Sequence, residues 1–280
     1  MSEKGFNQPA HFLNSAEFCL KNNDPTGAVD NYIRAASAYY QDLQEYKNAA
    51  KYYSSALRII EQETSDTAML DSGELLNLYK LLLAKNACLL NLGLIHILLQ
   101  KPSLAKIFFI ESHKPLNMAN SILKDHKDYF SNLIDPQIKD IVGITPLQSE
   151  LLTFGFSSSV FSFFSSILDN DAERITEYLT RLKKLEELFV SDYFESNDNS
   201  FFTLLEKLSE SISEKNLSVF NKTRAILEGF YFNRHTSSVA DTENQIRITL
   251  LDSFLIAFED ELMKVFESLE KLFSTKPDEN

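Results

Sequence analysis

The side chains best suited to chemistry in this 280-residue chain are its histidines, its two cysteines and a serine run, and their spacing builds no reaction centre. His96 lies among Leu94, Ile95, Ile97 and Leu98, a setting that predicts a core histidine. His113 and His126 stand among lysines, and neither has a partner at the His-Glu-x-x-His spacing that puts two imidazoles on one helical face. Gly155 to Ser159 reads Gly-Phe-Ser-Ser-Ser, whereas a nucleophile elbow needs a glycine where Ser159 stands. Acidic neighbours such as Glu186 with Glu187, or Glu259 with Asp260, could share a proton only by facing each other, and consecutive helical residues do not. Cys19 and Cys88 form no Cys-x-x-Cys pair and read as buried thiols in a reducing compartment. We therefore expect no enzyme: no catalytic residue, no metal and no cofactor.

What remains is charge and architecture. The net charge of −13 works against nonspecific binding to nucleic acid or to an anionic membrane. It is unevenly spread, at −5 over residues 1–79, +3 over 80–140 and −11 over 141–280. Met1 to Ala10 is polar, and the most apolar stretches, Leu89 to Leu99 and Phe154 to Leu168, look too short or too serine-rich to span a bilayer. The expectation is a cytoplasmic protein that reaches membranes only through protein partners.

The elements that must position any binding surface are helical. Seven glycines and seven prolines are few for this length, no proline occurs between Pro146 and Pro277, and no segment alternates like a strand. Ala28, Tyr32, Ala35, Ala36 and Tyr39 recur in type as Ala49, Tyr53, Ala56, Leu57 and Ile60, the small-and-large pattern by which paired helices stack closely. Helices are predicted over His11 to Leu20, Gly27 to Leu43, Tyr46 to Gln62 and Leu75 to Leu99, with Asp24 or Thr26 capping the second. A further helix starts near Pro102, and Pro115, Pro136 and Pro146 should divide residues 111–146 into short pieces. Helices are also predicted through Ile175 to Phe189, Phe201 to Ser213, Leu217 to Phe232 and Leu251 to Leu272, with a loop at Asn233 to Asn244. The phenylalanines at 154, 156, 161, 163 and 164 are expected to pack between helices. The fold class is all-α: a right-handed helical-hairpin solenoid over residues 1–190 and a helical bundle lobe over residues 191–280.

Several segments resemble the soluble NSF-attachment proteins, the SNAP family of membrane-fusion adaptors. Ala28 to Ile60 is similar to that family's early hairpins. Leu185, Glu186, Glu187, Leu188 and Phe189 resemble its Tyr-Glu-Glu-Leu-Phe segment. Leu204 to Leu208, Asn216 to Phe220 and Leu251 to Leu255 follow in the family's order. The resemblance implies a SNAP-like, tetratricopeptide-type adaptor that embraces a SNARE helical bundle with basic residues and offers acids to an NSF-type ATPase. Lys80, Lys85, Lys101, Lys106, Lys114, Lys124 and Lys127 would face the SNARE bundle. Asp252, Glu259, Asp260 and Glu261 would face the ATPase. Asn22 to Gly27 is polar where the family carries a membrane-touching loop, so no direct membrane insertion is expected. The alternative is a SNAP-like scaffold subunit that holds another partner or a peptide, with a groove of Tyr39, Tyr40, Tyr52 and Tyr53 as one such surface.

Overall fold

Helical geometry leaves the first amides and last carbonyls of each helix open, and in the helices that start at Pro25, Ala172 and Leu217 a short polar side chain meets an early amide. A computed structural model describes residues 8–65, 72–132, 146–189, 201–237 and 259–273. These residues form α1 (Gln8–Lys21), α2 (Pro25–Gln41), α3 (Tyr46–Glu63), α4 (Ser72–Leu98), α5 (Pro102–Asp125) and α6 (Lys127–Asn132). They continue with α7 (Pro146–Leu168), α8 (Ala172–Phe189), α9 (Phe201–Ser213), α10 (Leu217–Ser237) and α11 (Glu259–Glu270), which runs into a 3-10 turn at Lys271–Phe273. The described residues contain no strand, so the protein is all-α.

One turn recurs three times. After α1, α7 and α9 a residue in the left-handed region, Asn23, Asn170 or Lys215, lets the next amide reach back to the helix it leaves. Asp24, Asp171 and Asn216 donate their N–H to the carbonyls of Cys19, Ser166 and Ser211 at 2.9, 2.9 and 2.8 Å. The side chain of that same residue then caps the following helix. Asp24 accepts from the Gly27 amide at 2.9 Å, Asp171 from Arg174 at 3.1 Å and Asn216 from Val219 at 3.2 Å. Gly27 has no Cβ because one there would collide with the Asp24 carboxylate. Thr26, the other capping candidate, instead donates its hydroxyl to Asn77 Oδ1 at 3.3 Å.

Contacts group the chain into two units, residues 1–99 with 107–154, and residues 100–106 with 155–280. The boundary expected at residue 190 lies outside the described residues. In the first unit α1 packs on α2, α2 on α3 and α3 on α4. Ala28, Ala36, Ala49 and Ala56 are fully buried and bring α2 and α3 together around Tyr53, with Cys88, Leu92 and Ile95 of α4 in the same core. A second core joins Leu78, Tyr79 and Leu82 of α4 to Leu116, Ala119 and Leu123 of α5 and Phe130 of α6. Tyr79 donates its hydroxyl to the Leu147 carbonyl at 2.8 Å, tying the start of α7 to this core.

Pro115 does not break its helix as the sequence predicts; α5 runs through it. The proline removes one amide donor. Asn86 of α4, fully buried, donates to the neighbouring Ser112 carbonyl at 2.9 Å, so the disturbed turn is held from a second helix. Pro136 lies outside the described residues, and Pro146 opens α7, where a missing N–H costs nothing.

In the second unit Phe156 to Ile167 of α7 are buried without interruption. Phe156 meets Phe201 and Phe202 of α9, and Phe164 meets Phe266 of α11 edge-on at 5.7 Å between centroids. Each such ring contributes about 1.5–3 kcal/mol through burial. α10 also extends to Ser237, five residues into the predicted loop, which contains no proline or glycine at 233–237 to stop it. The predicted last helix is described only from Glu259; residues 251–258 lie outside the described set.

Two helices are longer than their apolar cores suggest. Gly73–Leu98 and Glu150–Leu168, the helices that take in the apolar stretches 89–98 and 154–168, are long and apolar enough to cross a membrane by length and composition. Two-thirds of the most apolar window of each, 67%, is buried against the rest of the protein.

Candidate interaction surfaces

Among the described residues the chemistry-bearing side chains stay dispersed. No group of three or more His, Cys, Asp or Glu among the described residues is placed to hold a metal ion. His96 stacks on Phe108 with parallel rings 5.2 Å apart, and His113 is buried, while His126 is exposed. Ser157, Ser158 and Ser159 sit fully buried inside α7 rather than on a strand-to-helix turn. Ser159 donates to the Gly155 carbonyl at 2.9 Å, so the run closes on its own helix. A hollow beside Glu45, Tyr46, Lys47, Asn48 and Leu99 is wide open to solvent.

The seven candidate lysines divide by what holds them. Lys80, Lys101, Lys124 and Lys127 are exposed. Lys85 pairs with Glu61 at 3.5 Å, and Lys114 with Glu111 at 2.7 Å. An exposed pair such as Lys114 with Glu111 is worth little and opens readily toward a partner, whereas Lys85 is itself partly buried. Lys106 is different. Its ammonium lies 3.0 Å from Asp169 and 2.6 Å from Asp171, and Ser103 donates to Asp169 at 2.9 Å. The hydrogen bond that Lys106 donates holds the Asp171 carboxyl below its ordinary range, and donating to Asp171 and Asp169 raises the Lys106 ammonium. Lys106 therefore fastens the first turns of α5 to the α7–α8 turn and leaves the outward basic set.

Among the candidate acids, Asp252 lies outside the described residues, as do the side chains of Glu259 and Asp260 on α11. Glu261 is only 8% exposed, which removes it from an outward acidic face. α11 is bound to α10 by Arg224, which reaches Glu270 at 2.8 Å while also holding Glu228 on its own helix. The Lys215 ammonium adds a bond to the Leu272 carbonyl at 3.2 Å.

A tyrosine ladder emerges on the α2–α3 hairpin. Tyr52 of α3 stacks between Tyr32 and Tyr39 of α2, with centroids 6.2 and 5.4 Å away and planes within 15°. All three are half-buried, and burial pushes the Tyr39 phenol up, aided by Tyr52 and Glu45. Tyr40 and Tyr53 point the other way and are 2% and 1% exposed, so they leave the aromatic groove predicted from sequence. The signal was the seven-residue, two-turn spacing of Tyr32 and Tyr39. Spacing alone did not say which member of each Tyr-Tyr pair turns inward.

No family model, no curated protein and no solved structure matches this chain. The surfaces above must speak for themselves: a helical scaffold, four open lysines and a half-buried aromatic ladder.

Proposed function

We propose that the protein is a non-enzymatic, SNAP-like helical adaptor of vesicle trafficking that binds a SNARE helical bundle and an NSF-type ATPase in the cytoplasm. The observation that carries this reading is the α2–α3 hairpin, whose alanines are fully buried between helices at the positions that resemble the family's early repeats. In this reading the α1 to α4 stack is the start of a right-handed solenoid. The ordered resemblance at Leu185 to Phe189, Leu204 to Leu208 and Asn216 to Phe220 supports the same assignment for the later helices.

The bundle-facing residues in this proposal are Lys80, Lys124 and Lys127, with Lys85, Lys101 and Lys114 joining them; Lys106 is excluded by its two aspartates. The experiment is capture of a preformed SNARE bundle by the triple variant Lys80→Glu/Lys124→Glu/Lys127→Glu at moderate salt. At least a tenfold loss of capture is expected, with helical content unchanged. Capture equal to wild type overturns the assignment.

The tyrosine ladder favours one second reading, a scaffold subunit that holds an extended peptide against stacked aromatic rings. Under that reading Tyr32→Ala and Tyr52→Ala release a copurifying partner that is neither SNARE nor ATPase, and the lysine variants leave it bound.

A further inference from the structure

Four residues of α5, Ile107, Glu111, Lys114 and Met118, occur at intervals of four, three and four and so lie along one stripe of the helix. The stripe faces outward. Ile107 is 54% and Met118 is 47% exposed, and Glu111 and Lys114 form an exposed ion pair between them. The order is apolar, acid, base, apolar, and it is symmetric about the midpoint between Ser112 and His113.

From this symmetry we infer that the outer face of α5 is a self-association surface on which a second copy of the chain docks antiparallel about a two-fold axis. Such a pairing places Ile107 against Met118 of the other copy, and Glu111 against its Lys114, each contact occurring twice. A uniformly acidic partner would meet Glu111 with repulsion, and a uniformly basic one would meet Lys114. A helix with the reversed order satisfies both, and the same helix of another copy has that order. The two apolar contacts flank the central charges and shield them from solvent, which strengthens the pairs. The stripe spans about 16 Å, and the interface falls below the roughly 1,200 Å² of a standard complex, so association is expected at micromolar rather than nanomolar concentration. The inference does not rest on the adaptor reading, and no SNARE bundle or ATPase enters its test.

Sedimentation of the full chain over roughly 1 to 200 μM reads the equilibrium directly. The wild type is expected to shift from monomer toward dimer across that range. Glu111→Lys places two lysines opposite each lysine pair, and Lys114→Glu does the same with acids, so each variant alone is expected to stay monomeric with unchanged helical content. An equimolar mixture of the two restores both ion pairs and is expected to dimerise as the wild type does. A wild type that remains monomeric throughout, single variants that dimerise equally well, or a mixture that fails to recover overturns the proposal. A monomeric wild type whose Tm falls on Met118→Ser assigns the face to a cover within the chain and overturns it equally.

Discussion

Gly93 of α4 lies directly against Phe109 of α5: a Cβ on residue 93 would lie 2.6 Å from Cζ of the Phe109 ring, which is itself fully buried. Gly93→Ala must displace an aromatic ring that has no solvent side to move toward. A loss of about 1–3 kcal/mol is expected from overpacking of this kind, measured by urea unfolding. Adding Phe109→Leu should recover part of the loss, because the two changes act on one space.

Gln44 and Gln100 hold φ of 54° and 57°, a backbone region that costs side chains with a Cβ. Both are exposed. Gln44→Gly and Gln100→Gly are each expected to stabilise by about 0.5–1 kcal/mol, the gain being reduced by the greater freedom of glycine in the unfolded chain. Thermal unfolding checks this, and Gln100→Val should move Tm the opposite way.

The Lys106–Asp171 pair gives stability a defined pH dependence. The Asp171 carboxyl titrates lower in the folded chain than in the unfolded one, so its contribution is complete above the ordinary carboxylate range and is lost as pH falls through the lowered value. The Lys106 ammonium titrates higher when folded, so its contribution holds below the ordinary lysine range and is lost as pH rises through the raised value. The Tm difference between wild type and Asp171→Asn should therefore be largest near neutrality and shrink toward pH 3.

The two thiols should report different events. Cys88 is fully buried, and burial pushes it well above the ordinary thiol range, so a thiol reagent should reach it only when α4 opens. Cys19 is half-buried, and burial, with Asp24 beside it, raises it as well. Labelling of Cys19 should be the faster of the two and accelerate with pH beyond the point where a free thiol levels off. Asp24→Asn should bring that acceleration to lower pH.

Much of the helical order was legible because it rests on local chemistry. The helix expected around Phe201 to Ser213 has those bounds, and Asp24, one of the two capping candidates, caps α2. Where a distant residue decides, the sequence misled. Pro115 reads as a breaker until Asn86, from another helix, bonds the turn beside it. Lys106 reads as one more surface lysine until the α7–α8 turn brings two aspartates against it. The tyrosines failed for a different reason: both members of each adjacent pair are amphipathic, and only packing chose Tyr40 and Tyr53 for the core.

The recurring turn has a consequence for synthesis. A residue that closes one helix and caps the next makes each junction from groups within about six positions of one another, so closing it costs little chain entropy. The α1–α2 junction needs only Cys19 to Gly27, and the fully buried residues of the core it serves all lie within the first four helices. Contacts this local favour rapid folding. The amino-terminal helices are thus able to assemble as they leave the ribosome, before the phenylalanine-rich α7 has been made.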